Sequence, residues 1–402
     1  MNEESTSLAW SVNEKVSTYD WIVIGGGITG ATLAYELVKQ GLNVLLLEKN
    51  TSPDNATRYS YGGLAYWSGT SPLTRQLCEE GITIHRQLSA ELDTDTEFRE
   101  LDLILTVSPE DNPATLAQNY QSFAIPPTIL TPEEACQKEP LLNPNALSGA
   151  LLLPHGQMNP YKTNQGYLAA FQRLGGTVAF EPGVRLQQQA EKIVGVQTPT
   201  THYSAAHTVV CAGGLTRQLL RENGMTAPVY FTHAEVIETV PTGLKLHSVI
   251  MPAALQRFSL EANSTQPDKQ PLWEEANQEI LPPILDPGAV QMQDGSFRLG
   301  QWSRVLSSPD AMIDPQTSET QIRQRVGAIL PTVAQLPGRW RHCLVAFSPE
   351  TWHSVGPVDN REGLYLFSGF SNPLVFTPAL ARHFATCATG QEDPILEQIS
   401  DL

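Results

Sequence analysis

One stretch of the chain, residues 21–49, limits the possible fold more than any other part of the 402-residue sequence. It reads WIVIGGGITGATLAYELVKQGLNVLLLEK: an apolar run, a GxGxxG turn, an amphipathic helical pattern, a second apolar run and an acid. This order predicts a strand–helix–strand unit in which the glycine turn opens the helix. A helix N-terminus in that setting binds the pyrophosphate of a dinucleotide, so the segment indicates a Rossmann unit.

The residues of this motif have separate predicted roles. Gly25 makes the tight turn, Gly27 lets the backbone approach the pyrophosphate, and Gly30 lets helix and strand pack closely. Glu48 ends the second strand and is expected to accept the ribose hydroxyls. A phosphate on that ribose would meet a carboxylate, so the motif favours FAD or NAD over NADP.

Composition and length exclude several classes of protein. The length predicts two domains or one enlarged domain, and the formal charge of −17 without a basic run argues against nucleic acid and anionic membranes as partners. Residues 1–18 lack the pattern of a signal peptide, and no apolar run reaches membrane-spanning length, so we expect a cytoplasmic protein without a transmembrane segment. The five cysteines lack CxxC spacing and are odd in number, which predicts free thiols rather than disulfides or a zinc site.

Beyond the first unit the sequence predicts alternating strands and helices around a long irregular middle. Two Pro-rich segments, 125–145 and 263–288, are expected to be loops or excursions and not linkers, because strand patterns resume after each of them. The remaining predicted elements are a loop over 50–69, helices over 73–92, 161–174 and 377–387, and strands over 101–107, 177–180, 207–211 and 363–368.

The chain resembles the D-amino-acid oxidase superfamily of flavoproteins, within it the branch of glycine oxidase and monomeric sarcosine oxidase. The resemblance depends on the order and spacing of IGGGITG with Glu48, PHGQMNPYK (154–162), VVCAGG (209–214), DGSFRLG (294–300) and SVGPVDNREGLYLFSGFS (354–371). It implies an α/β fold, with a glutathione-reductase-like Rossmann FAD-binding domain and a discontinuous α+β substrate domain built on a mixed sheet. The implied FAD-binding domain comprises 19–85, 145–225 and 340–402, and the substrate domain comprises 86–144 and 226–339.

By similarity, an extended FAD would have its adenine near Val184 and its ring between the loop 57–63 and the region 343–371. The N-terminus of the C-terminal helix is expected at the pyrimidine edge of the flavin, where it would stabilise negative charge; the alternative is an ordinary helix that closes the sheet. The residues expected to bind FAD are Gly25, Gly27, Ile28, Thr29, Gly30, Glu48, Lys49, Thr57, Arg58, Ser60, Gly62, Gly63, Val184, Ala212, Gly213, Cys343, Gly369, Phe370, Ser371, Asn372, Pro373 and Leu374. For Arg58 the alternative is a surface ion pair.

Cys343 corresponds to the cysteine that bonds covalently to the flavin in sarcosine oxidase. Such a bond needs a thiolate, and Arg341 or His342 could supply a positive field for it. The alternative is a buried, inert thiol, since free cysteines are among the most buried residues. The sequence leaves both interpretations of Cys343 open.

The departures from the family concern the substrate. The arginines and lysine with which the family binds a substrate carboxylate are replaced by Val345, Tyr61 and the apolar pair Leu374 and Val375, and apolar groups cannot imitate a bidentate guanidinium. The lysine that promotes reaction with dioxygen corresponds to Arg298, and the histidine four residues later to Trp302. We therefore expect catalytic roles for Arg298, Tyr61 and Trp302 in a pocket that also includes Trp67, Arg304 and His353. The alternative is core packing for the tryptophans and surface charge for the arginines.

The resemblance implies oxidation of a small-molecule amine or amino acid. Hydride would pass from the carbon next to nitrogen to the flavin, giving an imine, and dioxygen or another acceptor would take the electrons, with hydrogen peroxide as the product in an oxidase. Two alternatives stay open: a dehydrogenase of an amino or 2-hydroxy acid that reduces a quinone or carrier, and a non-enzymatic flavoprotein assembly factor. An NAD-dependent reductase is least favoured, because the chain has only one full GxGxxG motif.

Overall fold

The computed structural model of the protein describes residues 17–254, 256–349 and 351–400. Its strands, in chain order, are β1 Ser17–Ile24, β2 Val44–Glu48, β3 Gly63–Leu64, β4 Arg99–Val107, β5 Thr128–Leu130, β6 Gly149–Gln157, β7 Thr177–Phe180, β8 Arg185–Gln189, β9 Lys192–Gln197, β10 His202–Val210, β11 Tyr230–Thr239, β12 Ser248–Pro252, β13 Glu279–Gln291, β14 Phe297–Leu306, β15 Gly338–Phe347, β16 Val355–Pro357 and β17 Leu364–Phe367. The α-helices are α1 Ile28–Lys39, α2 Ala56–Tyr59, α3 Pro72–Leu92, α4 Pro113–Gln118, α5 Pro132–Lys138, α6 Pro160–Arg173, α7 Thr216–Glu222, α8 Gln256–Ser264, α9 Gln270–Glu274, α10 Pro315–Ile329, α11 Pro331–Ala334, α12 Pro373–Ala388 and α13 Pro394–Ser400. Short 3₁₀ turns occupy Pro144–Ala146, Gly213–Leu215, Pro267–Lys269 and Thr351–Ser354.

The first sheet has the strand order β16-β17-β10-β1-β2-β7; in addition, β9 pairs with β10, and β8 pairs with β9. Strands β17, β10, β1, β2 and β7 are parallel, so their carboxyl ends meet at one edge. Ligands of open α/β sheets bind in the crevice outside that edge. The predicted strand–helix–strand unit is therefore confirmed, and its glycine turn lies at this crevice.

The second sheet has the order β15-β11-β14-β13-β12-β4-β6-β3, with β5 beside β6. It is mixed, because β12 pairs with β4 in parallel while the other described pairs are antiparallel. This confirms the α/β fold with a Rossmann sheet and a second, mixed sheet. Strands β6 and β15 belong to the second sheet, although we expected 145–225 and 340–402 in the FAD-binding domain.

Helices α1, α3 and α12 form the layer on one face of the first sheet, where α12 packs against both α1 and α3. The buried residues of α12 include Val375, Phe376, Leu380 and Phe384, which are at most 3% exposed. Such extensive burial explains why this helix is apolar on nearly all sides. No helix of the described part of the chain is long and apolar enough to cross a membrane.

The two Pro-rich segments differ from the expectation of loops. Segment 125–145 contains β5 and α5, and 263–288 contains α9 and most of β13. The pairing of β13 with β14 shifts register between Leu281 and Ile284 and again between Leu285 and Gly288. The prolines at 282, 283 and 287 lie in these gaps, where a strand tolerates a residue that cannot donate to the ladder.

A partly buried histidine connects α12 with α3 and with the start of α13, and it gives a stability prediction. His383 on α12 hydrogen-bonds with Glu80 on α3 and with Asp393 just before α13, each at 2.8 Å. Burial disfavours its charged form, but the two carboxylates outweigh burial and raise the pKa of His383. Because the pKa is higher in the folded protein, this stabilisation is complete below the unfolded pKa and is lost as pH rises through the folded pKa.

We therefore expect His383→Gln to lower the free energy of unfolding by about 2 kcal/mol at pH 6, the contribution of hydrogen bonds to a charged group, and by less at pH 8.5. Urea unfolding at the two pH values measures this difference. An equal loss at both pH values would contradict a charged His383.

Candidate functional site

The glycine turn after β1 is so crowded that two of its positions admit only glycine. Gly25 has a φ of +112°, and a Cβ there would lie 2.5 Å from the carbonyl oxygen of Cys211. A Cβ on Gly30 would lie 1.9 Å from the carbonyl oxygen of Gly25. These contacts bring the start of α1 directly against the ends of β1 and β10.

Gly27, in contrast, faces open space. It is the N-cap of α1, it has no side-chain cap, and within 4 Å its Cβ would meet only the Thr57 Oγ1, at 3.4 Å. The first helical N–H, of Ile28, donates to the same oxygen at 3.0 Å, and Thr29 follows in the first turn. An uncapped helix N-terminus with room in front of it is suited to a phosphate.

Glu48 lies beside this turn at the end of β2. Its Oε2 accepts from the N–H of Gly26 at 2.7 Å, and its Oε1 accepts from the N–H of Asn50 at 3.0 Å. Each carboxylate oxygen keeps a further lone pair, so the oriented side chain can still accept from two ribose hydroxyls. Lys49, the next residue, is exposed.

Three more of the expected residues lie at this edge of the first sheet. Val184 and Ala212 pack, partly buried, against the same cluster as Ile24 and Leu47. Gly213 has a φ of +54°, and a Cβ there would have no neighbour within 4 Å. The structure thus brings these positions to the end of β1 and β2 at which we expect the adenosine.

The loop 57–63 is held by the end of β6 and the segment between β6 and α6, so an expected FAD-binding loop contacts the motif at 154–162. The N–H of Met158 donates to the carbonyl of Gly62 at 3.0 Å. A Cβ on Gly62 would lie 2.0 Å from the Met158 carbonyl, and one on Gly63 would lie 2.7 Å from His155 Nε2. Glycine is therefore required here for packing.

Arg298 is buried, at 3% exposure, and holds the same loop from the second sheet. Its guanidinium donates to the carbonyl oxygens of Ser60 and Arg58, the latter at 2.8 Å. Burial lowers the pKa of Arg298 to about 10, helped by the charge of Arg58, so the group stays charged at neutral pH. Arg58 itself forms a 2.7 Å ion pair with Glu238, the alternative that the sequence left open.

Cys343 lies on β15 opposite Ala234 of β11, in an apolar cluster that includes Tyr59 and Val236, with Tyr61 packed against it. Burial raises the pKa of the Cys343 thiol to about 12, although Arg257 and Arg298 partly oppose that effect. Two other residues therefore supply the positive field that we expected from Arg341 or His342.

His342 cannot act on Cys343, because successive residues of a strand point to opposite faces. It stacks on His233 and Trp340 on the other side of the sheet. Arg341 shares the face of Cys343, but it lies near Glu238, with a 3.6 Å ion-pair distance.

Trp302 and Arg304 were expected beside Arg298, and that prediction is wrong. Along β14, Gly300 pairs with Val236 but Trp302 pairs with Glu235, so Gln301 is an extra residue. One extra residue reverses which face the following side chains occupy.

Trp302 consequently packs against the cluster below α10, and Arg304 binds the buried Glu235 at 2.8 Å. Both lie on the face away from Cys343. Trp67 does lie on the expected side, against Tyr61, and its Nε1 donates to His155 at 3.3 Å. The side chain of His353 lies outside the described part of the structure.

The start of α12 is fixed next to these loops. Asn372, its N-cap, makes no capping hydrogen bond and donates instead to the carbonyl of Ala65 and to Ser68, each at 3.1 Å. His85, whose pKa burial lowers to about 4, donates as a neutral ring to the Leu374 carbonyl at 2.8 Å. The first turn of α12, from Pro373, is therefore positioned but uncapped.

The segment that leads into α12 turns sharply after β17. Gly369 has a φ of +77°, Phe370 is 2% exposed, and Ser371 is exposed. The buried ring of Phe370 anchors this turn, and the next residue, Ser371, faces outward.

Two charged residues on the face of the second sheet that carries Cys343 and Arg298 were not predicted from the sequence. Asp286 on β13 and Arg257 on α8 both act electrostatically on this region, Asp286 on Tyr61 and Arg257 on Cys343. The sequence carried a weak signal for them, an acid before a proline in 263–288 and an arginine just before that segment. The sequence does not show on which face of the sheet Asp286 lies, because the prolines of this segment interrupt the alternating pattern of a strand.

The site fits an extended dinucleotide. It has two uncapped helix N-termini, a carboxylate with free lone pairs, and open space at Gly27 and Gly213. Between the loop 57–63 and the second sheet, buried atoms without a hydrogen-bond partner among the described residues include Tyr61 Oη and Arg298 Nε. Such atoms indicate a place for a polar ligand.

Comparison with known proteins agrees with this geometry. The curated 4-methylaminobutanoate oxidase (formaldehyde-forming) of Paenarthrobacter nicotinovorans is 23% identical over 377 residues, which cover 90% of this chain and 43% of that protein. The peroxisomal sarcosine oxidase of Homo sapiens is 28% identical over 213 residues, 52% of this chain and 54% of that protein. The aligned region thus spans about half the length of each of these relatives.

A solved glycine oxidase from Bacillus cereus ATCC 14579 has the same fold, with a TM-score of 0.74 at 20% identity, covering 94% of this chain and 99% of that one. Other matches include proteins described as dehydrogenases. The family described as FAD dependent oxidoreductase (DAO) matches residues 20–386. The resemblance seen in the sequence is confirmed, and the chain belongs to the DAO family of FAD-dependent oxidoreductases.

Proposed function

We propose that this chain binds FAD along the crevice described above and oxidises the carbon–nitrogen bond of a small amine or amino acid. The observation that carries the proposal is the meeting of two features. The glycine turn and Glu48 lie at the carboxyl edge of the first sheet, and the second sheet turns Arg298, Cys343 and Asp286 toward the same loop, 57–63.

Different residues of the chain would bind the different parts of FAD and the substrate. The N-terminus of α1 would bind the pyrophosphate, and Glu48 would bind the ribose. The uncapped start of α12 would stabilise negative charge at the pyrimidine edge. Bound FAD supplies the acceptor for a hydride. The second sheet and Trp67 would exclude water and hold the substrate over the ring.

For the electron acceptor we propose dioxygen. Arg298 supports this, because it keeps a buried positive charge beside the loop at the flavin, and a fixed cation stabilises a negative charge that develops nearby. The assignment is tested separately from amine oxidation, since a dehydrogenase would show the same first half of the reaction.

For the substrate we propose an amine without a tightly bound α-carboxylate. Val345 is apolar, Arg304 binds Glu235 on the opposite face, and Arg298 uses its outer nitrogens on backbone carbonyls. A bidentate arginine clamp requires a free guanidinium edge, and none of these positions provides one.

The test is an anaerobic titration of the FAD-loaded protein with a panel of primary and secondary amines, amino acids and 2-hydroxy acids, including 4-methylaminobutanoate, sarcosine and glycine. We expect bleaching of the flavin absorbance by an amine and rapid recovery with hydrogen peroxide when air is admitted. Slow recovery in air with rapid recovery on a quinone would indicate a dehydrogenase. No bleaching by any compound would contradict the proposal.

We also propose that FAD is held without a covalent bond. A thioether needs a thiolate, and the pKa of Cys343, raised to about 12 by burial, keeps this thiol protonated at neutral pH. After acid precipitation we expect a yellow supernatant and a colourless pellet, and Cys343→Ser should give the same result. Colour that stays with the wild-type pellet and leaves with Cys343→Ser would contradict this.

The redox state of the cysteines is an indication of the cellular compartment. All five are free in the structure: Cys78, Cys136, Cys211, Cys343 and Cys387. Free, largely buried thiols are typical of a reducing compartment, which supports our proposal of a cytoplasmic protein.

A further inference from the structure

A partly buried group of charged side chains, Arg257, Glu261 and Asp286, lies on the face of the second sheet that carries Cys343. Helix α8 packs against β13 and β14, and Arg257 near its start donates to Glu261 one turn later, at 2.8 Å. The hydroxyl of Thr232, on β11, donates to the same carboxylate oxygen at 2.7 Å. Arg257 and Glu261 therefore balance each other, and neither requires a ligand.

Asp286 is the unbalanced member of the group. Its neighbour Leu285 pairs with Trp302 and packs toward α10, so Asp286 points to the opposite face, the face of Arg298. Its Oδ1 is buried and has no hydrogen-bond partner among the described residues, and no described cation lies within ion-pair distance of it. A buried carboxylate oxygen without a partner is costly unless a donor is supplied.

Two tyrosines lie within electrostatic reach of Asp286. Its charge contributes to the raised pKa of Tyr61 and of Tyr120. The Tyr120 hydroxyl is already used, since it donates to the Ala253 carbonyl at 2.7 Å, whereas the Tyr61 hydroxyl is buried without a partner. Trp67 packs in the same cluster as both tyrosines, with its ring centroid 6.1 Å from that of Tyr120. An anionic group among aromatic faces is suited to an ammonium ion.

We propose that Asp286 binds the substrate nitrogen as an ammonium ion and accepts its proton. This inference rests on the proposed function, because it assigns the substrate class of the same site: alkyl- or arylalkylamines that enter as cations beside Tyr61 and Tyr120. The proton passes from the ammonium nitrogen to the Asp286 carboxylate, which becomes a neutral acid, and the amine keeps the lone pair that hydride loss from its carbon requires.

The ionisation of Asp286 agrees with this role. Burial raises the pKa of Asp286 to about 7, with Arg257 opposing and Glu261 reinforcing the effect. The other groups that face it, Tyr61 and Tyr120, are neutral near pH 7, since burial raises the pKa of each phenol further. A group that titrates near neutral pH can take and release a proton within one cycle.

The experiment is isothermal titration calorimetry of the FAD-loaded protein with two probes of similar shape, benzyltrimethylammonium and benzoate. The cation has no lone pair on its nitrogen and therefore cannot lose hydride from the neighbouring carbon, so the readout is binding and not turnover. We expect the cation to bind and benzoate to bind at least about tenfold more weakly, a difference of roughly 1.4 kcal/mol in binding free energy.

Two comparisons locate the effect at Asp286. Asp286→Asn should weaken the cation about tenfold or more, while Glu279→Gln, which removes the same charge from a half-exposed position on β13, should change it less than about twofold. In the wild type, affinity for the cation should rise from pH 6 to pH 8 as Asp286 ionises. This measurement needs no variant, so it decides the matter if Asp286→Asn does not fold.

Tighter binding of benzoate than of the cation, no binding of either probe, or an affinity for the cation that does not change with pH would each overturn the proposal. Failure of the proposed function looks different. In that case no amine bleaches the flavin, although the cation still binds through Asp286. If amines bleach the flavin and Asp286→Asn neither weakens the cation nor shifts the pH profile, only this inference fails.

Discussion

Gly27→Ala is expected to weaken FAD binding by about 100-fold, roughly 2.8 kcal/mol, without unfolding the chain. The backbone at Gly27 is extended, with φ −70° and ψ 177°, which an alanine adopts without strain. The added Cβ would meet only Thr57 Oγ1 within 4 Å, at an ordinary contact distance of 3.4 Å. Its methyl group would instead occupy the space in which the pyrophosphate has to approach the start of α1.

FAD affinity is measured by titrating the FAD-free protein and following quenching of flavin fluorescence. Gly243→Ala is the matched control, because a Cβ there has no neighbour within 4 Å and so is tolerated like the one at Gly27, but it lies far along the chain from the crevice. Gly25→Ala provides the opposite contrast, since its positive φ and the 2.5 Å contact predict loss of stability. If Gly27→Ala binds FAD as tightly as the wild type, the assignment of this turn to the pyrophosphate is wrong.

Arg298→Met is expected to slow the reaction of the reduced protein with dioxygen by about 100-fold, as loss of one fixed electrostatic group does in other enzymes. The substitution removes a charge that persists at neutral pH and leaves the carbonyls of Ser60 and Arg58 without their donor. Each buried carbonyl left unpaired costs about 1–3 kcal/mol, so the loop 57–63 should also hold the ring less firmly. Stopped-flow mixing of reduced protein with air-saturated buffer gives the rate constant.

Two further variants separate charge from geometry. Arg298→Lys keeps the charge but loses the fork that spans both carbonyls, and we expect an intermediate rate. Arg304→Met removes a charge from the other face of β14 and takes the arginine away from the buried Glu235, which keeps its neutral donor Trp340 and the nearby His233, so it should lower stability while the rate constant stays unchanged. An Arg298→Met protein that reacts with dioxygen at the wild-type rate would contradict the role proposed for this cation.

The sequence predicts those parts of the fold in which local pattern and tertiary packing agree. The unit from β1 to β2 is one such part, because its apolar runs, its glycine turn and Glu48 all favour the same structure. Helix α3 was predicted over 73–92 and is observed as Pro72–Leu92, since Ser71 and Thr74 form a capping box in front of a clear helical pattern. The strand 177–180 agrees for a similar reason, with glycines on its N-terminal side.

The part of the site that the sequence does not reveal depends on single-residue register. Counting from Arg298 along an alternating strand places Trp302 and Arg304 on its face, and only the pairing of β14 with β11 shows that Gln301 intervenes. Likewise, the prolines at 282, 283 and 287 hide a strand, and with it the direction of Asp286. Pairing between strands that are distant in sequence is a tertiary property, so local periodicity cannot supply it.

The most direct test of the central claim is the absorption spectrum of the purified chain after incubation with excess FAD and removal of unbound cofactor by gel filtration. The account predicts a yellow protein that carries one FAD per chain, with the adenosine end at Glu48 and the glycine turn. A protein that stays colourless after this treatment would contradict the account.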